Sequence, residues 1–202
     1  MKYSLIILLL ISFSFAQWGA GNKPIKGSAN QPAKQDRTTN SLTIIDYSHY
    51  EIHEGKHFKG GFQDVTMSTD DTVFVLFTTP NTTKWAHWKL TSESTGSATI
   101  EIYENVTTSD DGTALTEWNR NRNSTNTASV VITHTPTITS FGTKMASKWI
   151  GGAGFKTDIS GEHRGDSEFI LKQNTKYLVI GIALASNIKI AIGGDWYEHT
   201  DE

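Results

Sequence analysis

Three evenly spaced histidines are the first residues in this chain that suggest chemistry. His49, His53 and His57 recur at every fourth position, a spacing that on a helix would turn the imidazoles toward one metal ion. Residues 47–53 resemble a strand, however, and Gly55 interrupts any helix at this point. Along a strand, residues four apart are separated by roughly 13 Å. We therefore expect packed or surface histidines, with no metal and no cofactor. The alternatives are a metal site completed by distant residues, and a proton switch.

Paired carboxylates are the next candidates for catalysis. Asp70-Asp71 and Asp110-Asp111 both fall in predicted turns. Glycoside hydrolysis needs two carboxylates that face each other across a cleft, roughly 5–10 Å apart, and adjacent residues of a turn point in different directions. A turn-stabilising role is the main interpretation, and calcium binding is the alternative. The chain has no Gly-x-Ser-x-Gly motif, and we expect it not to be an enzyme.

Tryptophan is the remaining candidate for ligand contact. Trp88 and Trp196 occupy inward-facing positions of predicted strands, where an indole ring fills the core. Trp85, Trp118 and Trp149 are less constrained, and exposed indole faces suit the C–H surfaces of sugars. These three are the candidate ligand-binding residues, and core packing is the alternative for them.

The elements that would position these residues are strands. From Leu42 onward, apolar and polar residues alternate, as in half-buried strands. Residues 178–184 and 188–196 alternate most clearly and predict a C-terminal hairpin, whereas residues 73–77 are apolar throughout and predict a central strand. Strands recur every 10 to 15 residues or so, with turn chemistry between them. This spacing predicts one antiparallel, all-β sandwich of jelly-roll type over residues 42–202.

Composition limits the classes of function. The 202 residues are 37% hydrophobic, which is enough for one core. The net charge is −3, with 18 basic and 21 acidic side chains, so no basic surplus exists for nucleic-acid binding. The absence of cysteine excludes disulfides, thiolate zinc sites and cysteine nucleophiles.

The N-terminus has the pattern of an export signal. Lys2, an apolar run over residues 5–11 and Ser14-Phe15-Ala16 predict a signal peptide at 1–16. The run is shorter than the roughly 20 residues of a spanning helix, and an uncleaved membrane anchor is the alternative. Residues 17–41 are rich in Gly, Pro, Asn and Gln and predict a flexible polar tether, or a segment that orders against a partner. We expect an exported protein, whether secreted, periplasmic or at the cell surface.

Several strings stand in a distinctive order along the folded region. They are EIHEG at 51–55, TTPNTTKWAH at 78–87, IEIYE at 100–104, NRNRNS at 119–124, ILKQNT at 170–175 with Tyr177, and WYEH at 196–199. This set, which covers residues 46–199, resembles a family of small tailed-phage virion proteins described as structural or head-fibre-like. The resemblance implies a β-rich particle component and assigns no active site. The export signal departs from the family, because phage particles assemble in the cytoplasm.

The loop within these strings has two interpretations. Asn119, Arg120, Asn121 and Arg122 are expected to hold the loop through side-chain to backbone hydrogen bonds, or to contact a neighbouring subunit.

The leading functional hypothesis is a non-enzymatic structural or surface protein of phage-virion type, associated with itself and with capsid or other virion proteins. The alternative is a secreted or cell-surface ligand-binding sandwich, with glycans as the candidate ligands. The run from Ile188 to Trp196 contains only two charges, Lys189 and Asp195, so it should form a weakly protected sheet edge that association covers. We therefore expect a homo-oligomer. A trimer follows by analogy with fibre-like phage proteins, and a monomer with loop-shielded edges is the alternative.

Overall fold

The described part of the chain contains one short helix and thirteen strands. A computed structural model describes residues 46–151 and 168–200; the predicted signal peptide and tether lie outside them. The elements, in chain order, are α1 Tyr47–His53, β1 His57–Met67, β2 Thr72–Thr78, β3 Lys84–Ser94, β4 Ala98–Glu104, β5 Thr107–Asp110, β6 Thr113–Ala114, β7 Trp118–Asn119, β8 Val131–His134, β9 Thr137–Ser140, β10 Thr143–Ile150, β11 Glu168–Leu171, β12 Lys176–Ala183 and β13 Ile188–Thr200.

Two antiparallel sheets pack against each other. The five-stranded sheet has the order β11-β3-β13-β1-β7, and the six-stranded sheet has the order β10-β4-β12-β2-β8-β6. A two-stranded ribbon of β5 and β9 accompanies the six-stranded sheet. The predicted all-β sandwich is therefore confirmed.

Strands β1 to β4 and β10 to β13 alternate between the two sheets, and this corrects two predictions about the C-terminal strands. β12 pairs with β2 and β4, whereas β13 pairs with β1 and β3. The predicted hairpin of residues 178–184 and 188–196 is wrong, because residues 184–187 connect the two sheets. The run from Ile188 to Trp196 is also not an edge, because β13 lies at the centre of its sheet. Alternation within a strand fixes which side chains face inward and leaves the choice of neighbour open.

The inner faces of both sheets form the main core. Trp88 and Trp196 are both 0% exposed, which confirms the inward orientation expected for them. Phe77 of β2 packs with its ring centre 5.1 Å from that of Trp88. A Cβ at Gly194 would stand 2.5 Å from Nε1 of Trp88, so only glycine lets the indole lie against β13 here.

A smaller core lies on the outer face of the six-stranded sheet. Leu76, Val106, Leu178 and Ile180 are buried there, and Ile138 of β9 packs against them. β2 is therefore buried on both faces, as its continuous apolar sequence predicts.

Residues 47–53 form a helix, so the strand predicted there is wrong. The carboxylate of Asp46 accepts hydrogen bonds from the backbone N–H groups of Ser48 (3.0 Å) and His49 (3.3 Å), which caps the first turn. Gly55 ends the helix with a φ of 68°. A good cap and a glycine stop outweigh a short alternating pattern. Across residues 46–151 and 168–200, no helix has the length and apolar character needed to cross a membrane.

Candidate functional site

Histidine, tyrosine and aspartate side chains gather on the outer face of the five-stranded sheet. Outward-facing residues of β13 lie beside outward-facing residues of β1 and β3, with Tyr197 opposite both His57 and His87. We use the name polar face for His57, His87, Asp195, Tyr197 and His199. Because β13 is the central strand, the polar face lies in the middle of the sheet.

Helix α1 lies against this face through Tyr47. The Tyr47 ring meets the ring of Tyr197 edge-on, with centres 5.6 Å apart, and that of His199 with centres 6.1 Å apart. The N-terminal cap of α1 therefore helps to place an aromatic side chain over the end of β13. The helix shields one side of the polar face from solvent.

His57 is buried in a hydrogen-bonded network. Its Nε2 lies 2.7 Å from Oδ1 of Asp195, and its Nδ1 lies 3.0 Å from the carbonyl oxygen of Ser48. Arg120 donates to the other carboxylate oxygen of Asp195 at 3.0 Å. A carbonyl and a carboxylate oxygen both accept hydrogen bonds, so each ring nitrogen of His57 faces an acceptor. The network joins α1, β1 and β13.

His87 is the centre of a second network. Its Nδ1 lies 2.8 Å from Oε1 of Glu168, and the Tyr197 hydroxyl lies 3.0 Å from both atoms. The rings of His87 and Tyr197 are stacked, with centres 4.5 Å apart. On the far side, Nε2 of His87 lies 2.8 Å from Nε2 of His199. Two imidazoles, one phenol and one carboxylate are thus in direct contact on this face.

Glu198 points the opposite way, into the sandwich. Its side chain is 2% exposed. Oε1 accepts hydrogen bonds from the backbone N–H groups of Ser129 and Val130 and from Nε1 of Trp196, at 2.8 to 3.0 Å. Lys84 approaches to 3.8 Å. The carboxylate therefore binds a loop of its own chain.

The loop after β7 is held by asparagine side chains. Asn119 is buried and donates to the carbonyl oxygens of Gly55 (2.8 Å) and Asn126 (3.0 Å). Asn121 donates to the carbonyl oxygen of His53 at 3.0 Å. Space is tight here, since a Cβ at Gly55 would stand 2.2 Å from Oγ of Ser124.

Three of the ordered strings noted in the sequence therefore meet at one end of the sandwich. Residues 51–55, 119–124 and 196–199 are distant in sequence, yet hydrogen bonds join α1, the loop after β7 and β13. The chemistry-bearing side chains of these strings mainly hold backbone segments together.

The three candidate ligand-binding tryptophans do not share a site. Trp85 and Trp118 lie on the outer face of the five-stranded sheet, but β1 and β13 separate their strands. Trp118 is 51% exposed, and the Arg122 guanidinium lies 4.9 Å from the centre of its ring. Trp149 is 81% exposed and lies on β10 of the other sheet. Any ligand contact by these residues would involve one ring at a time.

A cleft of about 480 Å³ opens beside the loop and the end of β13. Its lining is mostly polar and includes Lys56, Lys84, Asn126 and His199, with Phe58 as the main apolar surface. Such a lining suits a hydrophilic ligand better than an apolar one.

The helix changes the geometry of the first histidines considered. His49 and His53 lie one turn apart on α1, with their Nε2 atoms 3.1 Å apart, rather than the much larger separation expected of a strand. His57 lies away from this pair in its own network. Within residues 46–151 and 168–200, no group of three His, Cys, Asp or Glu side chains is arranged to hold a metal ion.

Three side chains on or beside the six-stranded sheet have shifted pKa values. Hydrogen bonds from Lys176 and Thr108 lower the pKa of Asp111. Hydrogen bonds from Lys144 and Tyr103 likewise lower the pKa of Glu101. Burial raises the pKa of Tyr177, whose hydroxyl donates to Glu104 at 3.1 Å. The acidic turn pairs also act locally, since Asp71 accepts from the Ser68 N–H and Asp110 from the Gly112 N–H.

Sequence reasoning did not single out His87, Glu168 or His199. Alternation in β13 places residues 195, 197 and 199 on one outer face, and this signal was available in the sequence. The opposing residues of β1 and β3 could not be identified from the sequence, because strand pairing was not predicted.

The fold and the site together define a two-layer, all-β sandwich with a histidine- and tyrosine-rich outer face. Comparisons of the chain with family models, curated proteins and solved structures find no match.

Proposed function

We propose that this chain is a non-enzymatic structural or surface protein of virion type, which associates with itself. The observation that carries the proposal is a set of large apolar side chains exposed on an edge strand of the six-stranded sheet. The polar side chains at the α1 end, in contrast, mainly hold their own fold together. The resemblance of the ordered strings to phage structural proteins supports the same reading.

Three of the exposed large apolar residues lie along β10 and the turn before it. Phe141, Met145 and Trp149 are exposed there, and Trp149 is the most exposed of the large hydrophobic side chains described. β10 is one of the two edge strands of the six-stranded sheet. A tryptophan on an outermost strand is typical of a protein–protein interface, because burial of its large ring contributes strongly to binding.

Light scattering of the protein that begins at Gln17 tests self-association. The wild-type protein should have the mass of an oligomer, with three copies as the expected number, and Trp149→Ala should lower that mass. Trp118→Ala is the matched control, since it removes another exposed indole from the opposite sheet. A wild-type mass of one chain at all concentrations would contradict self-association.

The virion role and the export signal lead to a second test. Genes for capsid, portal or tail proteins beside this gene would support a particle component. Neighbouring genes for polysaccharide use or secretion would instead favour a cellular surface protein, exported through residues 1–16.

Ligand binding is the second candidate function, and the exposed ring of Trp118 favours it. Arg122 lies over this ring, and Asn121 lies in the same loop, so an aromatic surface and hydrogen-bond donors are close together. A glycan array would test the proposal, with Trp118→Ala and Trp149→Ala proteins in parallel. Binding that is lost only in Trp118→Ala would support it, and no binding to any glycan would remove it.

A further inference from the structure

We propose that His87 and His199 form a two-histidine site for a divalent transition-metal ion, independent of the proposed function. Their Nε2 atoms face each other at 2.8 Å across the polar face. His87 lies on β3 and His199 on β13, and the two strands are paired at this point. The backbone of the sheet therefore sets the separation of the two rings.

The opposite ring nitrogens determine what the two Nε2 atoms can do. Nδ1 of His87 lies 2.8 Å from the Glu168 carboxylate, and Nδ1 of His199 lies 3.2 Å from the carbonyl oxygen of Thr200. Both oxygens are acceptors, which favours the tautomer of each ring that carries its proton on Nδ1. In neutral rings, both Nε2 atoms then present lone pairs to each other. Two facing lone pairs repel each other, whereas a metal ion between them would accept both lone pairs and bind both nitrogens.

The surroundings match those of metal-binding histidines. Such a histidine usually donates its other N–H to a carboxylate or a backbone carbonyl, which fixes the tautomer and orients the ring. His87 does so to Glu168 and His199 to Thr200, and the Tyr197 hydroxyl touches the same carboxylate at 3.0 Å. The side chains of His87 and Glu168 are each only 15% exposed, so this support is largely shielded from water.

Imidazole nitrogens favour Zn²⁺, Cu²⁺ or Co²⁺ over Ca²⁺ or Mg²⁺. Zn–N bonds of about 2.05 Å at a tetrahedral angle place two nitrogens about 3.3 Å apart. The rings would therefore separate by about 0.5 Å on binding, starting from the 2.8 Å observed. Water or a further donor would complete the coordination of the ion.

A shared proton is the competing occupant of the same position. One imidazolium could donate from its Nε2 to the Nε2 of the other ring, and no metal would then be needed. The proposal requires that Zn²⁺ or Co²⁺ displace that proton near neutral pH. The helical pair His49 and His53, with Nε2 atoms 3.1 Å apart, supplies the control for adventitious binding to paired histidines.

Metal titration of the full-length protein tests the site. Zn²⁺ would be followed by calorimetry and Co²⁺ by visible absorption, in wild type, His199→Gln, His87→Gln and the double variant His49→Gln/His53→Gln. We expect one equivalent bound in the double variant, where the helical pair cannot contribute, and at least a tenfold weaker interaction when His87→Gln or His199→Gln is added to it. His199→Gln tests the site without substituting the largely buried His87. Circular dichroism checks that each variant is folded.

Two results would overturn the proposal. One is binding of Zn²⁺ and Co²⁺ that is absent from the wild type or unchanged in both single variants. The other is a ¹⁵N spectrum in which the His87–His199 pair keeps an imidazolium in the presence of excess Zn²⁺. Loss of uptake only in the double variant would assign the metal to α1 and would also overturn it.

Discussion

The Glu198 carboxylate meets the backbone N–H of Ser129 at 2.8 Å, although 69 positions separate the two residues. The same oxygen accepts from Val130 and from the Trp196 indole. One buried carboxylate therefore connects the end of β13, the main core and the segment that enters β8. Without this carboxylate, three hydrogen-bond donors inside the protein would lack an acceptor.

Glu198→Gln should destabilise the fold by about 1–3 kcal/mol, because a carboxamide NH₂ would replace one acceptor oxygen beside buried donors. Urea denaturation followed by tryptophan fluorescence measures the loss. Glu93→Gln, at an exposed position of β3, should change stability by less than about 0.5 kcal/mol. Equal stabilities for the two variants would contradict the assigned role of Glu198.

Tyr177 should make the fold sensitive to alkali. Burial raises the pKa of Tyr177 above the ordinary value, so the folded state keeps the phenol protonated where the unfolded state releases the proton. This contribution to stability is complete below about pH 10 and is lost as pH rises toward the folded pKa. Denaturation at pH 8 and pH 11 should therefore show a smaller loss in Tyr177→Phe than in wild type. Tyr50→Phe, at an exposed site on α1, should retain the wild-type loss.

Tyr177→Phe should also lower stability at neutral pH, by about 1 kcal/mol. The hydroxyl accepts from the Lys172 N–H at 2.8 Å and donates to Glu104, and phenylalanine removes both hydrogen bonds. The same urea series at pH 7 measures this effect. A variant as stable as wild type would show that water replaces the hydroxyl without cost.

The contribution of Asp111 to stability should be lost in acid, whereas that of Tyr177 is lost in alkali. The hydrogen bond from Lys176 lowers the pKa of its carboxyl, so its contribution to stability is present above about pH 4 and is lost as pH falls through the folded pKa. NMR titration of the side-chain carbon should give a midpoint below 3.8 in wild type. Lys176→Met should raise the midpoint, and Lys189→Met, on a different strand, should not. No change in Lys176→Met would remove Lys176 as the cause.

Gly194→Ala should be strongly destabilising for its size. The new Cβ would stand 2.5 Å from Nε1 of Trp88 and 2.7 Å from Cε1 of Phe77, so the two rings or β13 must shift. Overpacking of this kind costs about 1–3 kcal/mol. Thermal unfolding checks it, with the exposed Lys189→Ala on the same strand as control. A melting temperature equal to that of the control would show that the core adapts freely.

The sequence predicted the strands much better than their arrangement. Period-two alternation correctly placed Trp88 and Trp196 inside, because the side-chain direction in a strand depends only on position. It did not identify the neighbours of β13, because backbone hydrogen bonds carry no information about the residues that pair. It also missed α1, whose formation depends on one capping carboxylate, Asp46, and one glycine, Gly55.

The candidate site depends on strand pairing, which could not be predicted from the sequence. His87 and His199 come together only because β3 and β13 are neighbours. The loop of Asn119 was identifiable from its asparagines and arginines, but its anchor points at Gly55 and His53 are distant in sequence. Local patterns thus located the loop, and the tertiary structure located its contacts.

The central position of β13 also determines when this protein can fold during its synthesis. His57 and Asp195 are 138 positions apart, so β1 emerges from the ribosome long before the strand it pairs with. At about 5–20 residues per second, the delay is roughly 7–28 s. During that interval the core-facing side of β1, with Phe58, has no sheet to join on that edge. The nascent chain should therefore be a substrate for chaperones that hold unfolded segments, and its five-stranded sheet should assemble only after translation has passed residue 200.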